Sequence, residues 1–281
     1  MGDYVLRVLS ETQPSCHITN AAATGLVDLN LNDWNKKLLE VVAPEGVIFP
    51  KIGTQPITFT RYGKNILALP AIGDQQAALY GAGLRGENEL SFNMGTGGQV
   101  SKIISTAKFS DRYQVRPFLG GRYIKTIPHI PCGRALNVYF RFFSDVLKQF
   151  GVTKTDEEIW QGILNAEQNS EGCAITCDLS FFENPITLDT AGSIQNISEY
   201  SLSVGGLMRA VFRQVADNFL TLAETLNDDQ KPADKIIFSG GVARKIESIR
   251  ARILEKYSCA HEVSNDETLK GLFRYAKEFP S

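Results

Sequence analysis

Asp74 and two glycine-built turns are the residues of this 281-residue chain whose types and spacing could carry out chemistry. Asp74 stands in Ile72-Gly73-Asp74-Gln75-Gln76-Ala77-Ala78-Leu79-Tyr80-Gly81-Ala82-Gly83, where it opens a helix whose small residues Ala77, Ala78 and Gly81 share one face and allow close approach to neighbours. Nothing within this segment supplies the carboxylate with an obvious cation. The run Leu90-Ser91-Phe92-Asn93-Met94-Gly95-Thr96-Gly97-Gly98-Gln99-Val100 follows and reads as a strand, a Gly-Thr-Gly-Gly turn and a second strand from Gln99. The glycines there permit the positive φ angles that a hairpin turn needs. Successive backbone N–H groups of such a turn converge on an anion, and Thr96 adds a hydroxyl. A carboxylate base beside a phosphate-cradling turn is what phosphoryl transfer to an alcohol requires. Taken singly, an Asp at a helix start is usually a cap and a Gly-rich hairpin is usually only a turn, so the information lies in their succession.

The second glycine turn lies far along the chain, in Lys235-Ile236-Ile237-Phe238-Ser239-Gly240-Gly241-Val242-Ala243-Arg244-Lys245. An apolar strand runs into Gly240 and Gly241 and then into a helix marked by Ile246, Ile249, Ile253 and Tyr257. That order leaves bare backbone where a ligand approaches and points a helix N-terminus at it, as a nucleotide site needs, although alone it is also a generic turn.

In their order and approximate spacing these three signatures resemble the FGGY carbohydrate kinases, of the sugar kinase, Hsp70 and actin superfamily. The resemblance spans essentially the whole chain and implies an α/β, actin-like (ribonuclease H-like) ATPase fold. It implies one complete C-terminal, nucleotide-binding domain (85–281) behind a remnant of the sugar-binding domain (1–84), with Thr24-Gly25-Leu26, Asp28 and Asp33-Trp34 matching the latter part of that first domain. The implied reaction is transfer of the γ-phosphoryl group of ATP, with Mg2+, to a primary hydroxyl of a ketose such as sedoheptulose or xylulose. Asp74 is then the general base, and Asp74 and Gln75 hold the sugar. Gly95, Thr96 and Gly97 contact the transferring phosphoryl group, and Gly240 and Gly241, with Gly133, line the adenosine and α-phosphate pocket. The chain departs from the family in having no actin-like Asp-Gly-Thr phosphate hairpin, and it carries Lys245 near where many relatives carry Asn. The expectation is therefore a piece of a longer kinase, with a catalytically silent nucleotide- or partner-binding module as the alternative.

Composition agrees with a small-molecule enzyme. With 43% hydrophobic residues the chain can build real cores, and a formal net charge of −2 with mixed signs argues against nucleic-acid or membrane-surface partners. No apolar run reaches bilayer length and no basic-then-apolar leader opens the chain, so the cytoplasm is the expected compartment, with oligomeric state open and a homodimer included. The five cysteines, Cys16, Cys132, Cys173, Cys177 and Cys259, read as reduced thiols. Cys173 and Cys177 lack the second pair that a zinc site needs, and His17, His129 and His261 lack a nucleophile motif.

The elements that must position these residues follow from periodicity. Asp33 is an expected cap for a helix carrying Trp34, Leu38, Leu39 and Val42, with Trp34 as core, and an apolar strand over 66–72 should deliver Gly73-Asp74 to the end of a sheet. A charged joint at 85–89 precedes a β-meander over 90–126. The stripe Leu136, Tyr139, Phe140, Phe143, Leu147 and Phe150 predicts a helix with a core face, and Thr155 with Glu158 forms a capping box opening another through Trp160. A longer helix carries Met208 to Leu226 and ends in a turn at 227–232. A last helix over 266–276 is expected to pack behind the 235–239 strand.

Overall fold

The computed structural model describes residues 2–172, 174–182, 188, 190–227, 231–265 and 267–279; Cys173, Asp266 and residues 228–230 of the expected turn lie outside them. The chain folds as two compact units. The first is Met1–Glu87 with Ile103–Lys125 and Asp266–Ser281, and the second is Asn88–Lys102 with Thr126–Asn265.

In chain order the first unit contributes α1 (Gly2–Ser10), α2 (Ile18–Ala21), the pair β1 (Val27–Asp28) and β2 (Asp33–Trp34), α3 (Lys36–Val42), the hairpin β3 (Ile57–Arg61) and β4 (Lys64–Ala68), and α4 (Asp74–Ala82). Next come β5 (Glu89–Met94), β6 (Gly98–Ile104), β7 (Gln114–Pro117) and β8 (Tyr123–Ile130). The second unit continues through α5 (Gly133–Gln149), α6 (Asp156–Gln168), β9 (Thr176–Asp178), β10 (Ser193–Gln195), α7 (Val204–Leu226), β11 (Lys235–Ser239), α8 (Gly241–Lys245), α9 (Glu247–Lys256) and β12 (Ala260–Val263). Helix α10 (Glu267–Ala276) belongs to the first unit. Among the described residues no helix is long and apolar enough to cross a membrane.

Two backbones touch in the first unit. A Cβ on Gly81 of α4 would run into the carbonyl of Glu267, and one on Gly271 of α10 would run into the carbonyl of Ala77. Small residues on α4 therefore do what their spacing predicts, but the neighbour is α10, which packs here rather than behind the 235–239 strand as the sequence suggested. Arg274 locks the contact by donating to the Gly81 carbonyl at 2.9 Å. The expected helix cap at Asp33 is also displaced. Asp33 and Trp34 form β2, and Asn35, immediately before the helix, caps α3 by accepting the Leu38 N–H at 3.1 Å. Trp34 is a packing residue, 5.0 Å from the Phe49 ring and donating to the Pro50 carbonyl at 2.7 Å. Of the expected 66–72 strand only the part to Ala68 pairs, and only with β3 in a two-stranded sheet of its own. Pro70 brings no N–H to continue a ladder.

The second unit is built on a sheet with strand order β12-β11-β5-β6-β8. Strand β11 runs parallel to both β12 and β5, and β5 turns back antiparallel into β6, so the sheet is mixed. Phe92 sits at its centre, wholly buried, with the rings of Phe219 at 5.9 Å, Phe238 at 5.7 Å and Tyr257 at 6.4 Å. Helix α7 supplies Met208, Val211, Phe212, Val215 and Phe219 to this core. The apolar stripe of α5 is buried at Leu136 and Tyr139, and Phe140 stacks on Trp160 at 5.1 Å. The stripe outruns the surface that covers it, leaving Phe150 at 81% exposure where the sequence placed core. The capping box forms as read: Glu158 N–H donates to Thr155 Oγ1 at 3.2 Å and Thr155 N–H to Glu158 Oε2 at 2.9 Å.

Candidate functional site

The glycine signatures of the second unit meet at one point. Parallel pairing places Ser239 opposite Asn93, so β5 and β11 release their chains side by side, into Gly95 and Gly240 respectively. Gly240 adopts φ +89°, a conformation that favours glycine, and a Cβ there would lie 2.5 Å from the Met94 carbonyl carbon and 2.8 Å from the Gly95 nitrogen. Gly133 arrives from the other direction, where a Cβ would lie 2.6 Å from the Gly95 oxygen. The first two N–H groups of α5 are spent on this turn: Gly133 donates to the Gly95 carbonyl at 3.1 Å and Arg134 to the Thr96 carbonyl at 2.7 Å. Helix α5 thus anchors the turn with the donors it would otherwise offer to a ligand.

The turn itself differs from the expected one. Neither Gly95, Gly97 nor Gly98 has positive φ, so conformational freedom is not why glycine stands there. Gly98 is required by crowding, because a Cβ would meet the Phe219 ring at 2.6 Å and the Ile130 side chain at 2.9 Å. Around Gly97 and Gly241, by contrast, a Cβ would meet nothing within 4 Å. Thr96 and Gly97 are exposed, and Lys245 ends α8 in an exposed position. Cys132, next to this junction, is an inert thiol, its pKa pushed up to about 12 by burial.

In the first unit, Asp74 is the opening residue of α4 and is exposed, with its Oδ1 accepting the Gln75 N–H at 2.7 Å. A carboxylate at a helix N-terminus is favoured by the helix dipole. Gln75 is engaged by a residue that sequence reading missed: Arg116 donates from Nη1 to Gln75 Oε1 at 2.5 Å and holds Gln114 with Nε at 3.2 Å and Nη2 at 2.6 Å. Gln76 is buried and donates to the Pro117 carbonyl at 2.9 Å. Strand β7 therefore braces the start of α4 at two successive residues. No local signal marks Arg116, whose partner lies 41 residues away. Among the described residues no three His, Cys, Asp or Glu side chains gather to hold a metal ion.

The structure matches the xylulose kinase of Rhodospirillum rubrum with a TM-score of 0.82, at 17% identity, over 98% of this chain and 57% of that one. It matches the glycerol kinase of Plasmodium falciparum, solved with ADP, with a TM-score of 0.77, at 18% identity, over 99% and 58%. The fold is that of the sugar kinases. This sugar-kinase fold, α/β with a mixed sheet, is the actin-like ATPase architecture that the sequence signatures implied. Sequence relatives are named alike: glycerol kinase 2 of Streptomyces coelicolor is 25% identical over 234 residues, and an uncharacterized sugar kinase of Archaeoglobus fulgidus is 34% identical over 84 residues. The chain spans 43% of the first and 17% of the second. No family model matches the sequence.

Proposed function

We propose that this chain is part of an ATP-dependent sugar kinase, with its nucleotide side and a portion of its sugar side, that phosphorylates a primary hydroxyl of a ketose, with xylulose and sedoheptulose as the candidate substrates. The observation that carries the reading is the convergence of Gly133 and Gly240 on Gly95, which joins two separate glycine signatures into one side-chain-free wall at the ends of parallel strands. The relatives named as glycerol and xylulose kinases support it. The sugar side is assigned to the first unit, which contains residues 1–84, and the nucleotide side to the second, which takes most of residues 85–281.

In this reading Asp74 accepts the proton of the attacking hydroxyl and Gln75, oriented by Arg116, holds the sugar. The N–H groups of Gly95 to Gly97 and the Thr96 hydroxyl steady the transferring phosphoryl group. Gly240 and Gly241 give the nucleotide backbone room, the open space at Gly241 and Gly97 being what a phosphate-bearing ligand needs. Mg2+ bound to the nucleotide supplies charge neutralisation; it arrives with the phosphates, since Mg2+ rarely occupies an all-protein cage.

Replacing Asp74 with Asn tests the assignment. ADP production with pentuloses and heptuloses is expected to fall about 10²- to 10⁴-fold, while thermal stabilisation by ADP is retained. Turnover within a few-fold of the unaltered protein rejects Asp74 as base. Nucleotide stabilisation without turnover on any sugar favours the silent binding module instead.

A further inference from the structure

The peptide that carries Asp74 is held from a distant part of the sequence. Gly73 caps α4 with no side chain of its own, and its N–H donates to Thr19 Oγ1 at 3.0 Å. Thr19 Oγ1 lies 2.7 Å from His17 Nδ1, and the same ring nitrogen accepts the Thr19 N–H at 3.2 Å. A ring nitrogen that accepts a backbone N–H has no proton of its own, so the direction of the chain is fixed. The Thr19 hydroxyl hydrogen points at His17 and its lone pair at Gly73. Both side chains are buried, at 3% and 4% exposure, and burial holds the imidazole neutral by lowering its pKa to about 4. A second hold lies two residues earlier, where Asp3 accepts the Ala71 N–H at 3.3 Å through Oδ1 and the Asn20 amide at 2.8 Å through Oδ2.

We propose that Thr19 is a positioning residue for Asp74, its hydroxyl oriented by His17 and holding the N–H of Gly73, the residue immediately before the one that bears the carboxylate. The consequence for turnover rests on the kinase reading above; the hold on Gly73 does not. Side-chain placement within a fraction of an ångström decides proton-transfer efficiency, which is why a single remote hydroxyl matters.

The test compares Thr19→Val, which keeps the branched shape and loses the hydroxyl, with Thr19→Ser, which keeps the hydroxyl. Three readouts are taken on the 281-residue chain: amide exchange at Gly73, the chemical shift of the Asp74 carboxyl carbon at fixed pH by NMR, and phosphorylation of a ketose by ATP. In Thr19→Val, exchange at Gly73 is expected to accelerate about tenfold and the Asp74 carboxyl-carbon resonance to move. The kcat is expected to fall about 10- to 100-fold with KM for ATP unchanged. Thr19→Ser restores all three. Unchanged exchange at Gly73, or an unmoved Asp74 carboxyl-carbon resonance, in Thr19→Val overturns the proposal, as does an unchanged kcat. A wild-type chain that phosphorylates no sugar counts against the kinase reading, and the two NMR readouts still decide the role of Thr19. If Thr19→Val does not fold, Thr19→Ala removes the same hydroxyl without added bulk and carries the same comparison.

Discussion

His17 couples this structure to proton activity more strongly than any motif in its neighbourhood suggests. Its pKa is lowered from 6.5 to about 4, chiefly by burial and against the opposing charge of Asp3. An unfolded chain therefore binds this proton at a pH where the folded one does not. The stability contribution is fully present above about pH 6.5 and is lost as pH falls towards 4; it is worth about 3 kcal/mol over that window. Melting temperature should drop on acidification from pH 7 to 4.5, and His17→Gln should flatten that slope; an equally steep profile in the variant would contradict the assignment. At this scale the sequence marked Asp74, Gly95 and Gly240 as candidates, because each sits in a contiguous run with a recognisable turn or cap; Gly133 came from the family resemblance, and the structure brings Gly133 and Gly240 against Gly95. It did not disclose Thr19 or Arg116. Thr19 reaches Gly73 across 54 residues and Arg116 reaches Gln75 across 41, and periodicity within an element carries no information about such pairs.

Between elements, several glycines of this protein act by letting backbones touch. Gly240 both adopts a conformation that side chains rarely take and abuts the Met94–Gly95 peptide, so Gly240→Ala should destabilise the protein by about 3 kcal/mol and abolish ADP-dependent stabilisation. Gly97→Ala, where a Cβ meets open space, should change stability by no more than about 0.5 kcal/mol. Urea unfolding of both variants checks the contrast; equal losses would show that crowding at Gly95 is not what Gly240 serves. The hairpin, the capping box at Thr155 and the long helix α7 were legible because their signals are local. The capping of α3 by Asn35 rather than Asp33 was not, because both residues are good caps and only the pairing of β1 with β2 decides between them. The partner of α10 was hidden for a different reason: an amphipathic pattern says which face is apolar and nothing about what covers it.

Across the whole molecule, three short signatures, through the family they resemble, were enough to imply the sugar-kinase fold. The return of Ile103–Lys125 and Asp266–Ser281 to the first unit has no such mark in the sequence. The two units can be followed separately, because the chain has two tryptophans, Trp34 in the first unit and Trp160 in the second. In Trp34→Phe, ADP at a hundredfold excess over its Kd should stabilise the unit reported by Trp160 fluorescence by about 2.7 kcal/mol. An unmoved Trp160 transition would count against nucleotide binding by the second unit. The glycine-to-glycine contact of α4 with α10 also sets an order of events during synthesis. Gly81 and Arg274 are 193 residues apart, so the helix that begins with Asp74 waits, its small-residue face uncovered, until the residues between them have left the ribosome. The first unit is thus opened long before it is closed, and a stop anywhere between α4 and α10 would leave that face bare.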